Sequence, residues 1–286
     1  MNRLDPAGKV VVVTGGAQGI GRAVAARMVR LGARVALVDR DADEVHAAAE
    51  DLGPNAVAYA ADVRDRECMR RVMCSVTQHF GSIDVIVANA GVSPTPATVR
   101  TLDDDEFDRV IGVNITGVYN TVRPALDQIV AGGGHVVIVS SGASFAPGAG
   151  GSPYMVSKAA VSQLGRALRL ELAVHGASAG VVYFGIVDTD MTHDMLDSDE
   201  LGRQIGGLLP WPLSRRISAD DAARVIVGNV VHRHGESFAP AGWRALKWVH
   251  GAANPLLDRY LVRSATMHRL LAEVDRGADK PGYHTS

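Results

Sequence analysis

Short runs of β-branched and apolar residues alternate along this chain with longer stretches in which apolar positions recur at helical spacing. Val10 to Thr14, Arg34 to Val38, Ala56 to Ala60, Val85 to Asn89, His135 to Ser140 and Gly180 to Phe184 read as strands. They are almost continuously apolar, which implies a sheet covered on both faces. Between them the pattern predicts helices near Ile20 to Leu31, Asp41 to Leu52, Asp65 to Phe80, Asp103 to Val130, Pro153 to His175 and Ala219 to His232. Asp103 followed by Glu106 reads as a capping box, and Ser152-Pro153 puts a cap before a first-position proline. Strand and helix in alternation predict the α/β class, a Rossmann-like doubly wound parallel sheet with right-handed crossovers and helices on both faces.

The same pattern divides the chain into one domain over residues 1–242, with a substrate lid at about 190–215, and a helical extension with a tail over 243–286. Asn254-Pro255 reads as a cap and first helical residue. Leu256, Leu257, Tyr260 and Leu261, then Met267, Leu270, Leu271 and Val274, follow at helical spacing. Such an amphipathic extension needs an apolar surface to cover. The candidates are the substrate opening, a neighbouring subunit or, with Trp243, Arg244, Lys247 and Trp248, a membrane surface. The basic face is thin, which favours the first two. Gly277 to Ser286 reads as a mobile tail.

Composition narrows the function classes. The chain has 286 residues, 47% of them hydrophobic, enough for a large core, and a formal net charge of -2 gives no general drive toward nucleic acid. Cys68 and Cys74 are six apart in one predicted helix and point in different directions, against a disulfide or a cysteine metal site. His232 and His234 are expected to face different ways at a helix end, and no metal is expected. No apolar leader precedes the first strand and no 18-residue apolar run occurs, so the expected location is cytoplasmic.

Chemistry concentrates at two motifs. Thr14-Gly-Gly-Ala-Gln-Gly-Ile-Gly21 lies between a strand and a helix, where Gly15, Gly19 and Gly21 let the backbone bend sharply and approach a pyrophosphate held by helix N-terminal amides. Gln18 and Ile20 belong to the same turn. Asp39 closes the second strand, where a carboxylate accepts both hydroxyls of an adenosine ribose and repels a 2'-phosphate. Arg40 beside it pairs with such a phosphate or stacks on adenine. NAD is favoured and NADP stays open. The second motif is Ser-Pro-Tyr154-Met-Val-Ser-Lys158, thirteen residues after Ser141. One helical turn brings the Lys158 ammonium near the Tyr154 phenol, which favours the phenolate and a proton donor and acceptor closer to neutrality.

Together with Asp62-Val63, Ala88-Asn-Ala-Gly91, Val113-Asn114, Ser140-Ser141 and Gly185 to Thr189, these motifs resemble the short-chain dehydrogenase/reductase family in its single-domain form over about 240 residues. The resemblance implies that Tyr154 is the general acid/base and that Lys158 holds the nicotinamide ribose and lowers the tyrosine pKa. It implies that Ser141 polarises the substrate oxygen, and that a helix distortion at Asn114 frees a carbonyl for a water joining Lys158 to solvent. It places Asp62 and Val63 at the adenine and Asn89 and Gly91 at the end of the fourth strand and the ribose. Ile186 and Thr189 are implied at the carboxamide, Thr189 alternatively at a phosphate. Homodimers or homotetramers are implied as well. This chain departs from the family at Phe184, where proline is usual, and Phe184 is expected to pack in the core.

The expected activity is exchange of a hydride between nicotinamide and an apolar secondary alcohol or ketone of steroid, terpenoid, retinoid or hydroxyacyl type. Met191, Met195, Leu196, Leu201, Ile205, Leu208, Leu209, Trp211 and Leu213 furnish an apolar lid. Arg203, Arg215 and Arg216 are the candidates for an anionic substrate group. An NADPH-linked ketoacyl or carbonyl reductase and a catalytically silent dinucleotide-responsive binding protein are the alternatives.

Overall fold

The computed structural model describes residues 3–145, 147–148, 150–197, 203–204, 206–207 and 213–278. Seven parallel strands form the central sheet: β1 (Val10–Thr14), β2 (Arg34–Asp39), β3 (Ala56–Ala60), β4 (Val85–Ala88), β5 (His135–Ser141), β6 (Ser178–Phe184) and β9 (Glu236–Ala239). Their spatial order is β3-β2-β1-β4-β5-β6-β9. Two-residue strands β7 (Val187–Asp188) and β8 (Ile217–Ser218) pair separately beside it. The doubly wound α/β expectation holds, and β9, too short to stand out as an apolar run, is the addition.

The apolar strands are explained by their two faces. Val11 and Val13 of β1 enter one core with Val35 and Leu37 of β2, while Val10 and Val12 enter the other with Ala36 and Val38. Successive side chains point to opposite faces, so a strand buried on both sides tolerates no polar alternation. Helices α1 (Gly19–Arg30), α2 (Ala42–Leu52) and α3 (Arg66–Phe80) follow the first three strands. Asp41 caps α2 through the Glu44 amide, and Asp65 caps α3 through the Glu67 and Cys68 amides.

The long helix expected from Asp103 to Val130 is instead a chain of pieces. It comprises α4 (Asp104–Ile111), a π turn (Gly112–Thr116), α5 (Gly117–Val122), a 3-10 turn (Arg123–Ala125) that contains Pro124, and α6 (Leu126–Ala131). The Asp103 carboxylate caps the Asp105 amide rather than forming the reciprocal box. Glu106 is drawn away to Arg109 and to the Thr95 amide. Helix α7 (Ser152–Ala173) begins with Gly151, not Ser152, at its cap.

After α8 (Asp190–Leu196) and α9 (Ala219–His232), the extension differs from its expected start. A single helix, α10 (Gly242–Leu261), runs through Pro255. Asn254 does not cap it, and its amide donates to Phe145 O. Helix α11 (Ala265–Ala278) includes the first two residues of the expected tail, whose remainder lies outside the described residues. Leu201, Ile205, Leu208, Leu209 and Trp211 of the expected lid also lie outside them. His232 and His234, expected to face apart, stack with centroids 5.2 Å apart, because Arg233 between them takes a left-handed conformation (φ 52°) that folds the helix end back. Among the described residues no helix is long and apolar enough to cross a membrane.

Candidate active site

The sheet order reverses between β1 and β4, so a crevice opens at their carboxyl ends, where ligands of open α/β sheets bind. Thr14, the last residue of β1, bridges the two strands: its hydroxyl accepts from the Asn89 and Ala90 amides. The Asn89 side chain returns the link by donating to Thr14 O and Gly15 O at 3.0 and 3.3 Å. Asn89 therefore pins the glycine turn to the end of β4. Gly15 (φ 65°) and Gly19 (φ 54°) take left-handed backbone conformations. Gly21 is required by approach: a Cβ there would lie 1.9 Å from Gly15 O. No side chain caps α1, so its first amides face the crevice without an internal partner.

A cleft of about 620 Å³ runs from this turn to α7. Its wall contains Gly15, Gln18, Gly19, Ile20, Asp39, Arg40, Asp62, Val63, Asn89, Gly91, Ser141, Tyr154, Lys158 and Thr189. Of the residues expected at a site, Gly21, Asn114 and Ile186 are absent from the wall. Gly21 packs behind the turn. The Ile186 carbonyl accepts from the Ile217 amide at 3.1 Å, which ties the loop after β6 to β8. The Asp39 carboxylate accepts from the Ala17 amide at 3.1 Å and the Arg40 amide at 2.8 Å, fixing it at the rim. Asp62 is clamped by Arg64 through the side chain at 2.7 and 2.9 Å and through the amide at 2.8 Å, and this partner holds its pKa below the usual carboxylate range.

Asn114 sits fully buried in the π turn, where the Gly117 amide reaches back five residues to Gly112 O. The expected helix distortion is thus present at the expected residue. Its side chain accepts from the Val92 amide at 2.8 Å and donates to Val92 O at 2.9 Å and Ser157 Oγ at 3.0 Å. Asn114 consequently ties the helix, the loop after β4 and α7 together. The Ser141 hydroxyl donates to Phe184 O at 3.3 Å and accepts from the Ala143 amide. Phe184 itself is 3% exposed within the core, as expected, and its carbonyl orients the serine.

Lys158 is buried on α7, with Nζ 5.5 Å from the centre of the Tyr154 ring and 3.2 Å from Val139 O. Burial pulls its pKa down to about 8. For Tyr154 the sequence implied a lowered pKa. In the chain alone the direction is opposite: burial pushes the phenol up, and the Ser141 hydroxyl offsets this only in part. The apolar end of the cleft is formed by Val92, Pro94, Pro96, Met191 and Met195. Leu213 packs instead on a core of Phe145, Tyr183 and Trp243. Arg216 pairs with Asp197, and Arg203 donates to Asp197 O.

Two features were not foreseen. Trp243, 3% exposed, packs against Gly142 and Gly185, where a Cβ would lie 2.2 and 2.3 Å from its ring. The extension thus supports the residues that follow Ser141 and Phe184. Asp275 of α11 accepts from Thr98 at 2.5 Å and pairs with Arg100 at 2.8 Å, fastening the extension to the loop beside the cleft.

The sheet and cleft are those of a dinucleotide-dependent α/β protein. The chain belongs to the short chain dehydrogenase family, whose model matches residues 9–200. It is 32% identical to the sorbitol dehydrogenase of Cereibacter sphaeroides, over 73% of this chain and 85% of that one. It is 34% identical to the 2,3-dihydro-2,3-dihydroxybenzoate dehydrogenase of Bacillus subtilis (strain 168), over 71% and 79% respectively. Among solved structures it resembles that of gox2181, with a TM-score of 0.77 and 26% identity over 85% of this chain and 97% of that one. Family membership makes the chain an oxidoreductase with a nicotinamide cofactor.

Proposed function

We propose that the protein is a NAD-dependent dehydrogenase of apolar secondary alcohols, with Tyr154 as general acid/base and Lys158, Ser141 and Asn114 in support. The observation that carries this reading is Lys158: a buried ammonium with one hydrogen-bond acceptor among the described residues, Val139 O, beside the Tyr154 ring and the cleft. A buried cation with unspent donors is costly unless a ligand meets it. A ribose hydroxyl is such a ligand, and Gly91 leaves room for it: a Cβ there would lie 3.3 Å from both Lys158 Nζ and Asn114 Oδ1.

The bound nicotinamide accepts or returns a hydride at C4 and, when oxidised, adds a positive charge to the site. Ser141 Oγ holds the substrate oxygen, and Tyr154 takes the hydroxyl proton as the carbinol C–H hydride leaves; a ketone is the product. Since burial raises the Tyr154 pKa, phenolate forms more readily as pH rises and as positive charge accumulates around it. Oxidation therefore accelerates toward alkaline pH, and a flat profile with chemistry rate-limiting would contradict this.

NAD is favoured by the fixed Asp39 carboxylate at the rim, which repels a 2'-phosphate. Arg40 on the same wall supports NADPH-linked carbonyl reduction as the second reading. Secondary alcohols are supported by relatives named for sorbitol and for a dihydrodiol of benzoate. Apolar preference is supported by Met191, Met195, Pro94 and Pro96 in the wall. Homo-oligomerisation, a cytoplasmic location and a domain boundary near residue 242 belong to the same proposal. Absorbance at 340 nm with NAD or NADP and secondary alcohols graded from small to sterol-sized tests it, with Tyr154→Phe as control. Turnover that prefers NAD, rises with apolar size and vanishes in the variant is expected; tight dinucleotide binding without turnover would favour the silent binding protein.

A further inference from the structure

Helix α10 has apolar residues on two sides, and the described residues cover only one of them. Trp243 is buried, Leu246 packs on the same core, His250 lies 5.3 Å from the Phe145 ring and Asn254 donates to Phe145 O, so this side is docked on the enzyme. On the other side, Trp248, Ala252, Leu256 and Tyr260 repeat at four-residue spacing, one above another. Trp248 is 83% exposed, Leu256 72% and Tyr260 69%, with Val249 and Val262 also exposed beside them. Nothing in the inner packing explains a row of this kind in water.

Charge identifies the occupant. Residues 241–271 contain Arg244, Lys247, Arg259, Arg263 and Arg269 against one acid, Asp258, in a chain whose net charge is -2. Lys247 is neutralised by Glu236 and the Arg244 guanidinium stands over the Phe238 ring on the docked side, while Arg259 and Arg263 are exposed around the apolar row. A second copy of the chain on a twofold axis would set one positively charged patch against another. An anionic phospholipid surface complements them and receives Leu256 and the two amphipathic rings at headgroup depth.

We propose that α10 and the turn that follows it bind the protein reversibly to anionic membrane surfaces, with Trp248, Leu256 and Tyr260 inserted and Arg259 and Arg263 on the headgroups. The attachment adjoins the cleft: α11, which follows directly, holds Thr98 and Arg100 through Asp275, next to the Pro94 and Pro96 wall. An apolar substrate dissolved in the bilayer then lies close to the site that oxidises it. The attachment itself does not depend on the substrate reading.

Co-sedimentation with vesicles of phosphatidylcholine, with and without phosphatidylglycerol, tests the proposal on the full chain. Binding to the anionic vesicles, weakened by added salt, is expected. Trp248→Ala should lower the partition coefficient about tenfold, as expected for removing one inserted ring, and Arg259→Glu should weaken binding to anionic vesicles only. All three substituted side chains in a Trp248→Ala, Leu256→Ser, Tyr260→Ser variant are exposed, so its thermal midpoint should match the parent's and separate lost binding from lost folding. Absence of sedimentation with anionic vesicles overturns the proposal. So does a concentration-dependent dimer in light scattering that Trp248→Ala dissolves, because the row then belongs to a second copy.

Discussion

The two ends of the central sheet each bury an ionisable side chain, and they treat it in opposite ways. At the amino end, His135 on β5 is fully buried, with Nδ1 2.7 Å from Ser178 Oγ and Nε2 3.0 Å from Asn229 Oδ1. Asn229 continues to Ser237 Oγ, and Arg233 donates to Ser178 Oγ and to Gly133 O and Gly134 O. Every ring nitrogen is answered, and burial keeps the imidazole neutral, with its pKa down to about 4. At the carboxyl end, Lys158 has one carbonyl partner and a pKa lowered to about 8. A satisfied network fixes architecture, whereas an under-satisfied buried cation is a site prepared for a ligand.

The sharpest way to break this contrast is Lys158→Met. If the lysine serves the ligand, turnover falls by about 10² to 10⁴, the range of a lost acid/base device, while the ligand-free protein becomes more stable. The ordinary lysine value of 10.5 applies to the unfolded chain and about 8 to the fold, so the cost of burying the charge is complete below pH 8 and fades as pH rises toward 10.5. The variant should thus gain roughly 3 kcal/mol at neutral pH, a gain that closes across that window in urea melts. An unchanged stability would show that Lys158 has partners enough without a ligand.

Next comes Trp243→Ala, which leaves a cavity beneath Gly142 and Gly185 and should cost about 3 to 5 kcal/mol. His135 supplies the acid counterpart. Its folded value lies below its unfolded 6.5, so nothing is lost above pH 6.5 and roughly 3 kcal/mol disappears as pH falls to about 4. His135→Gln should flatten that limb when its acid melts are compared with the parent's. The smallest effect is Trp243→Phe: the Trp243 Nε1 hydrogen has no partner among the described residues, so its removal offsets part of the lost area and the change should stay within about 1 kcal/mol. A larger loss would mean that the indole nitrogen has a partner in solution.

Much of the catalytic end was legible because its parts are local. The glycine turn, Asp39, and Tyr154 with Lys158 lie within single elements, and strand burial is read from uninterrupted valines such as Val10 to Val13. The distortion at Asn114 was implied by the family resemblance, not by the periodicity, which reads as one continuous helix there. What escaped depends on distant partners. Thr98 and Asp275 are 177 positions apart, and nothing local in either marks the pair. The bond from the Ile217 amide to the Ile186 carbonyl is equally invisible locally, because Ile217 enters through a strand of two residues. Asp103 does cap α4, but Glu106 is taken by Arg109 within the same helix and by the Thr95 amide of the loop before it.

The contact of Trp243 with Gly142 and Gly185 also constrains how this protein can change over generations. Three positions scattered along the gene share one volume, and a methyl group at either glycine would meet the indole at 2.2 to 2.3 Å. Alanine at 142 or 185 becomes acceptable only in descendants that first acquire a smaller residue at 243, and reversion of that residue is then blocked. Substitutions here should accumulate in a fixed order, which makes the last helices inseparable in descent from the serine they support.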